Sequence, residues 1–169
     1  ALPAHYHLEA VATADATIRD AALEPVLSAP APAGLVGGEG GAIHLLRDTG
    51  QEGLLAARYR RARFAIEIAE QAFEVDGSSY PAGSWILRPQ AGLERAVQDA
   101  AVQLGLDFER VASIPDVPRH AAKAPRLGIW VPWADTDSIG WLRYALDQRK
   151  VPYIYVRDEL HLSKARLWG

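Results

Sequence analysis

Two short apolar runs flank an amphipathic stretch between Arg126 and Val156, and this pattern limits the fold more than any other feature of the chain. The first run, Arg-Leu-Gly-Ile-Trp-Val, is too brief for a helix and has the composition of a strand. Pro132 closes it, and Asp137 or Ser138 is placed to cap a helix just beyond. Ile139, Leu142 and Leu146, with Trp141 and Ala145 beside them, fall on one helical stripe. Val151 to Val156 is a second apolar and aromatic run, reached through little more than Arg149-Lys150. Strand, helix and strand with joints this short make a βαβ unit, which implies a parallel sheet. The expected fold class is therefore layered α/β with a mostly parallel sheet, in two small lobes.

Upstream, the same reading gives a strand over Ala42 to Leu46 and a helix over Gln51 to Arg61, capped by Asp48 or Thr49. Phe64 to Ile68 alternates and supplies the next strand, so residues 42–68 form another βαβ-like unit. The arginines 58, 60, 61 and 63 read as a solvated helix end, favourable near the negative pole of the helix dipole. Asp76-Gly77 is a hairpin turn signal. Pro81-Ala82-Gly83 is a second turn, delivering the chain into a strand over Ser84 to Leu87. Gln90 to Leu104 is an amphipathic helix that Gly105 stops, with Leu93, Val97 and Ala101 on its inner face. Leu106 to Ile114 returns as extended chain, and residues 115–125, with three prolines, read as a linker. The expected division is an irregular segment 1–35, an α/β lobe 36–114, the linker, and a second lobe 126–169.

Composition excludes several function classes. The chain has 169 residues and no cysteine, so disulfides, thiolate metal sites and cysteine nucleophiles are ruled out. A formal net charge of -3 argues against a nucleic-acid surface, which needs a basic face. No apolar run approaches the roughly 20 residues of a membrane span. Methionine is also absent, and the chain starts Ala-Leu-Pro-Ala; a processed product or a piece of something longer is expected, with a truncated C-terminal lobe.

Few residues have the pattern of a chemical site. His5 and His7 share a face if extended, one way to chelate a metal, but no third ligand lies nearby and an exposed terminal segment explains them as well. Gly37-Gly38-Glu39-Gly40-Gly41 precedes its apolar run, the wrong order for a phosphate loop, and reads as a flexible approach to a strand. His44 sits among apolar neighbours and is read as a hydrogen-bonded or edge histidine. Open α/β sheets place ligands beyond the carboxyl ends of their strands, which after residue 131 selects Trp133, Asp135, Asp137, Trp141 and Arg143 as the candidate ligand-binding set. The plainer reading makes Trp130 and Trp141 core residues, Trp133 a cover for the sheet edge and the aspartates helix caps.

Several of these stretches together resemble a family. Phe73-Glu74-Val75-Asp76-Gly77 followed by Tyr80-Pro81-Ala82-Gly83-Ser84-Trp85-Ile86 is similar to a segment of large bacterial zinc-carboxypeptidase-like proteins that lies well downstream of the peptidase domain. Pro125 to Trp130, Trp133, Gly140-Trp141-Leu142-Arg143-Tyr144 and Val151-Pro152-Tyr153 resemble the next region of those proteins, itself similar to class I glutamine amidotransferases. The resemblance spans about residues 40–169 and implies flavodoxin/amidotransferase-like layering, zinc held by a peptidase domain of the parent and not by this chain, and export to the periplasm or outside the cell. The implied partners are that peptidase domain and a peptide or glycan. The sequence departs from the family where Ser138 and Ile139 replace acidic residues before Gly-Trp. The missing cysteine excludes amidotransferase chemistry, and no histidine is followed three residues later by glutamate, so the zinc-peptidase pair is not here. The expected function is a non-catalytic accessory region that positions a substrate. The alternatives are a stand-alone hydrolytic or metal-dependent enzyme using Asp135 and Asp137 with a histidine such as His161, and a ligand- or partner-binding module.

Overall fold

The structure is a computed structural model and describes residues 11–25, 27–28, 33–130 and 136–156. Its centre is β2 (Ile43–Leu46), an apolar run buried on both faces, as a strand in the middle of a sheet must be. Around it the six-stranded sheet runs β1 (Val36–Gly37), β7 (Phe108–Val111), β2, β6 (Trp85–Leu87), β3 (Glu67–Ala69), β8 (Arg119–Ala121).

Two helical crossovers build this sheet, and they interleave. β2 leads through α1 (Gly53–Arg60) to β3, and β6 leads through α2 (Leu93–Leu104) to β7. β2 and β3 are each antiparallel to β6, so they point the same way with β6 between them. β6 and β7 are likewise both antiparallel to β2, which lies between them. This is the split-βαβ, ferredoxin-like arrangement. The domain is therefore mixed α/β, but the expectation of a mostly parallel sheet is corrected: pairing is antiparallel at β7–β2, β2–β6, β6–β3 and β3–β8, and parallel at β1–β7. The physical reason is that a crossover fixes the direction of its second strand and not its adjacency. Each unit leaves a gap one strand wide, and the other unit fills it.

Both helices cover one face of the sheet. Leu93, Ala96, Val97, Ala100 and Ala101 of α2 fall at helical spacing and pack with Ala57 of α1 against Leu46, Trp85, Leu87 and Phe108. Gly105 ends α2 at φ 64, a left-handed cap that favours glycine. α1 starts later than expected. Asp48 and Thr49 shape the preceding turn, where the Gly50 N–H donates to Asp48 Oδ1, and neither caps the helix. Arg58, expected in solvent, is buried and donates to the Ala122 carbonyl.

The opposite face is covered in part by a hairpin, β4 (Phe73–Val75) and β5 (Ser78–Tyr80). Its two-residue turn places Asp76 at φ 49 and Gly77 at φ 79, the left-handed pair that matches strand twist. Phe73 stacks on Tyr80 at 5.1 Å, and both pack with Leu45, Ile86, Val111 and Val117. Fully burying an aliphatic side chain such as Ile86 contributes about 2–3 kcal/mol. The turn at residues 81–83 closes with the Ser84 N–H donating to Pro81 O at 3.2 Å, and the buried Ser84 Oγ accepts the Asp48 N–H at 3.3 Å.

The glycine-rich stretch is not a loose approach to β2. β1 runs parallel to β7 on one side, the chain crosses the end of β7, and β2 returns antiparallel on the other side. A Cβ at Gly34 would stand 2.4 Å from Leu106 O, and one at Gly41 would stand 2.1 Å from the Val111 carbonyl carbon. Backbone thus lies directly on backbone around that strand. Residues 115–125, read as a linker, contribute edge strand β8, flanked by prolines as an edge tolerates.

β9 (Leu127–Trp130), α3 (Thr136–Gln148) and β10 (Tyr153–Val156) form the expected βαβ unit, with β10 parallel to β9 in the register Tyr153↔Leu127 to Val156↔Trp130. α3 already includes Asp137 in its first turn, so neither Asp137 nor Ser138 is its cap. Ile129, Leu146 and Val151 form a small core that Tyr59 of α1 joins. The unit is tied to the larger sheet's helix by Tyr59 OH donating to Pro125 O, an Arg149–Glu52 ion pair, and Arg60 Nη2 donating to Arg149 O at 3.4 Å. Trp130 and Trp141 are not core, being 59% and 74% exposed. Periodicity put Trp141 beside the helical stripe, whereas Trp130 follows the buried Ile129 and so lies on the opposite face of its strand.

Candidate functional site

Of the ligand-binding set read from the sequence, Trp133 and Asp135 lie outside the described residues, as do His5, His7 and His161. Asp137 and Trp141 sit one helical turn apart and exposed on α3, and Trp141 meets Tyr144 edge-on at 6.1 Å. Arg143 faces elsewhere. Its Nε donates to Tyr153 OH at 3.2 Å, its guanidinium carbon lies 5.1 Å from the Tyr155 ring centroid, and Tyr153 OH donates to Asp147 Oδ1 at 3.0 Å. The hydrogen bond from Arg143 to Tyr153 chiefly holds the Arg143 pKa above its ordinary value. Arg143 braces α3 against β10, and the described members of the set do not converge.

Another site is assembled where the hairpin leaves the helix-free face uncovered. A cleft of about 540 Å³ opens there, with Leu45, Gly37 and Glu109 along its floor and Arg47, Gln51, Tyr80 and Asp107 around it. Strand pairing explains who meets whom. Leu45 lies opposite Glu109, and Gly37 pairs with Glu109 from the other side, so these three positions share one face. Arg47 comes two residues after Leu45 and keeps to that face. Tyr80, at the end of β5, forms a wall between Arg47 and Glu109. Its hydroxyl donates to Glu109, and the Arg47 guanidinium carbon lies 5.4 Å from the ring centroid.

Burial, then the hydrogen bond and the charge of Glu109, push the Tyr80 phenol above its ordinary range. Tyr80 is thereby held protonated, a hydrogen-bond donor and not a proton acceptor. Asp107 Oδ1 accepts the Leu35 N–H at 2.9 Å and ties the cleft's rim to β7. The arrangement can bind and orient a ligand with charge at both ends.

A second polar cluster lies on the helix side of the sheet. His44 is 3% exposed, its Nε2 stands 3.0 Å from Glu94 Oε2, and Arg110 pairs with the same carboxylate at 3.8 Å. Burial pushes the His44 imidazole below its ordinary value, Glu94 pulls the other way, and Arg110 adds to the lowering. His44 stands in a central strand and not at an edge, and its contact with Glu94 is an ion-pair distance without hydrogen-bond geometry at either ring nitrogen. Among the described residues, no group of three or more His, Cys, Asp or Glu side chains is placed to hold a metal, and no helix is long and apolar enough to cross a membrane.

Sequence reasoning missed Arg47, Asp107 and Glu109. The usable signals are parity along β2, which puts Arg47 on the Leu45 face, and the Tyr-Pro-Ala-Gly segment, which enters the sequence reading only as a resemblance. Fold and site together define a mixed α/β domain with a ligand-sized cleft on the helix-free face of its sheet. No protein-family model, curated protein or solved structure matches the chain.

Proposed function

We propose that this chain is a non-catalytic accessory region of a zinc-carboxypeptidase-like protein, packing on a peptidase domain and holding a substrate or ligand in place. The observation that carries the reading is the Arg47–Tyr80–Glu109 arrangement, in which a protonated phenol sits between a cation and a carboxylate. Such groups recognise a ligand by charge and by hydrogen bonding. The wall residue Tyr80 belongs to the Tyr-Pro-Ala-Gly segment that carries the resemblance, and the βαβ unit 127–156 corresponds to its amidotransferase-like part. Zinc chemistry belongs to the parent's peptidase domain in this reading, and the setting is periplasmic or extracellular.

The test is to incubate the purified 169-residue chain with peptide and amide substrates, with and without added zinc, and to measure its metal content. No turnover and no stoichiometric zinc are expected. Turnover lost on Asp137→Ala or His161→Ala would establish the stand-alone enzyme instead.

A further inference from the structure

The cleft's polar groups are unequally committed. Asp107 accepts a backbone N–H and Glu109 accepts the Tyr80 hydroxyl. Arg47 touches the Tyr80 ring and has no carboxylate at ion-pair distance among the described residues. A guanidinium carries five N–H donors around its edge, and stacking on a ring uses none of them. Tyr80, bonded to Glu109 and stacked under Arg47, also keeps these opposite charges apart. The cleft is consequently dipolar, with unspent donors on one side of the phenol and carboxylate oxygens on the other.

A matching ligand must bring an anion to Arg47 and a donor to Glu109 and Asp107. The two carboxylates repel a second negative charge, which disfavours phosphate and favours a carboxylate. Leu35, 72% exposed, adds an aliphatic surface at the rim beside Asp107. The volume of about 540 Å³ exceeds one side chain and falls within the range of small-molecule clefts. The floor is open at Gly37, where an added Cβ would meet nothing nearer than Phe108 O at 3.9 Å.

The geometry points to a binding site for a small zwitterion of amino-acid or dipeptide size, its carboxylate on Arg47 and its ammonium facing Glu109 and Asp107. This builds on the reading of the cleft as a binding surface, yet does not need a peptidase partner. Turnover by the isolated chain would remove the accessory function and leave this site standing.

The experiment is an amide-shift titration of the full chain with alanylalanine, its C-terminal amide, its N-acetyl derivative and inorganic phosphate. Alanylalanine is expected to shift the amides of Gly37, Gly38 and Thr49 saturably. Each charge-deleted analogue is expected to bind about tenfold more weakly or worse, the effect of losing one charge-assisted hydrogen bond. Arg47→Gln, an exposed change, should weaken binding by a similar factor, and Gly37→Leu should fill the floor and block it. Saturable shifts at these amides that fail with either variant support the site. No saturable shift, equal binding of phosphate or of the analogues, or binding unchanged in Arg47→Gln would overturn it.

Discussion

Replacing Gly41 by alanine would set a methyl group 2.1 Å from the Val111 carbonyl carbon and 2.2 Å from its oxygen. Ordinary carbon contacts begin near 3.5 Å, so β7 or the crossing segment must move by more than about 1 Å. Gly41 does not need a left-handed backbone, and its whole penalty is steric. Gly40 is the reverse case: φ is 74, and a Cβ there meets nothing within 4 Å. Gly37 has neither constraint. The expected losses are about 3 kcal/mol for Gly41→Ala, at the upper end of overpacking, and about 1 kcal/mol for Gly40→Ala from its backbone alone. Gly37→Ala should be neutral or stabilising by about 0.5 kcal/mol, because alanine narrows the unfolded ensemble. Urea unfolding followed by far-ultraviolet circular dichroism reads this series directly. With a slope of about 1.5–3 kcal/mol per molar, Gly41→Ala should lower the midpoint by about 1–2 M. A Gly41→Ala midpoint equal to that of the unaltered chain, or a larger loss at Gly40, would refute the picture of backbone wrapped on backbone around β7.

Tyr80→Phe should destabilise by about 1–2 kcal/mol in the same assay, since Glu109 loses its donor beside a closely packed ring; an unchanged midpoint would contradict the bond. Stability should also fall as the pH drops below about 6.5, because His44 is held below its ordinary pKa and the unfolded chain takes up the proton first. The contribution of His44 is complete above that value and lost as the pH falls through its lowered folded pKa. Urea midpoints taken between about pH 7 and pH 5 should therefore decline more steeply for the unaltered chain than for His44→Gln, and parallel curves would rule the imidazole out.

Much of the local structure was legible because local physics decides it. The Asp76-Gly77 hairpin comes from a turn that requires two left-handed residues, and α2 from its apolar stripe and from Gly105 at its end. The unit of β9, α3 and β10 comes from two apolar runs and a helix with short joints. Strand order was not legible. Nothing near β2 and β3 records that β6 will lie between them, because that neighbour arrives from another crossover. The same distance hid the cleft, whose Arg47, Tyr80 and Glu109 are joined only by sheet register and a hairpin folded over it. Trp141 shows a further limit. A periodic stripe reveals which side of a helix is apolar, not whether anything covers it.

The interleaved crossovers also bear on how the chain acquires its structure. Neither crossover can complete its half of the sheet alone, because the neighbour each strand needs is held in the other half. The four central strands should therefore form in one all-or-none step, slowed by the sequence distance between partners. The unit of β9 and β10 pairs its own consecutive strands and is fastened through Tyr59, Arg60 and Arg149. It has the build of a separate opening unit, whose amides would exchange with deuterium while the larger sheet stays closed.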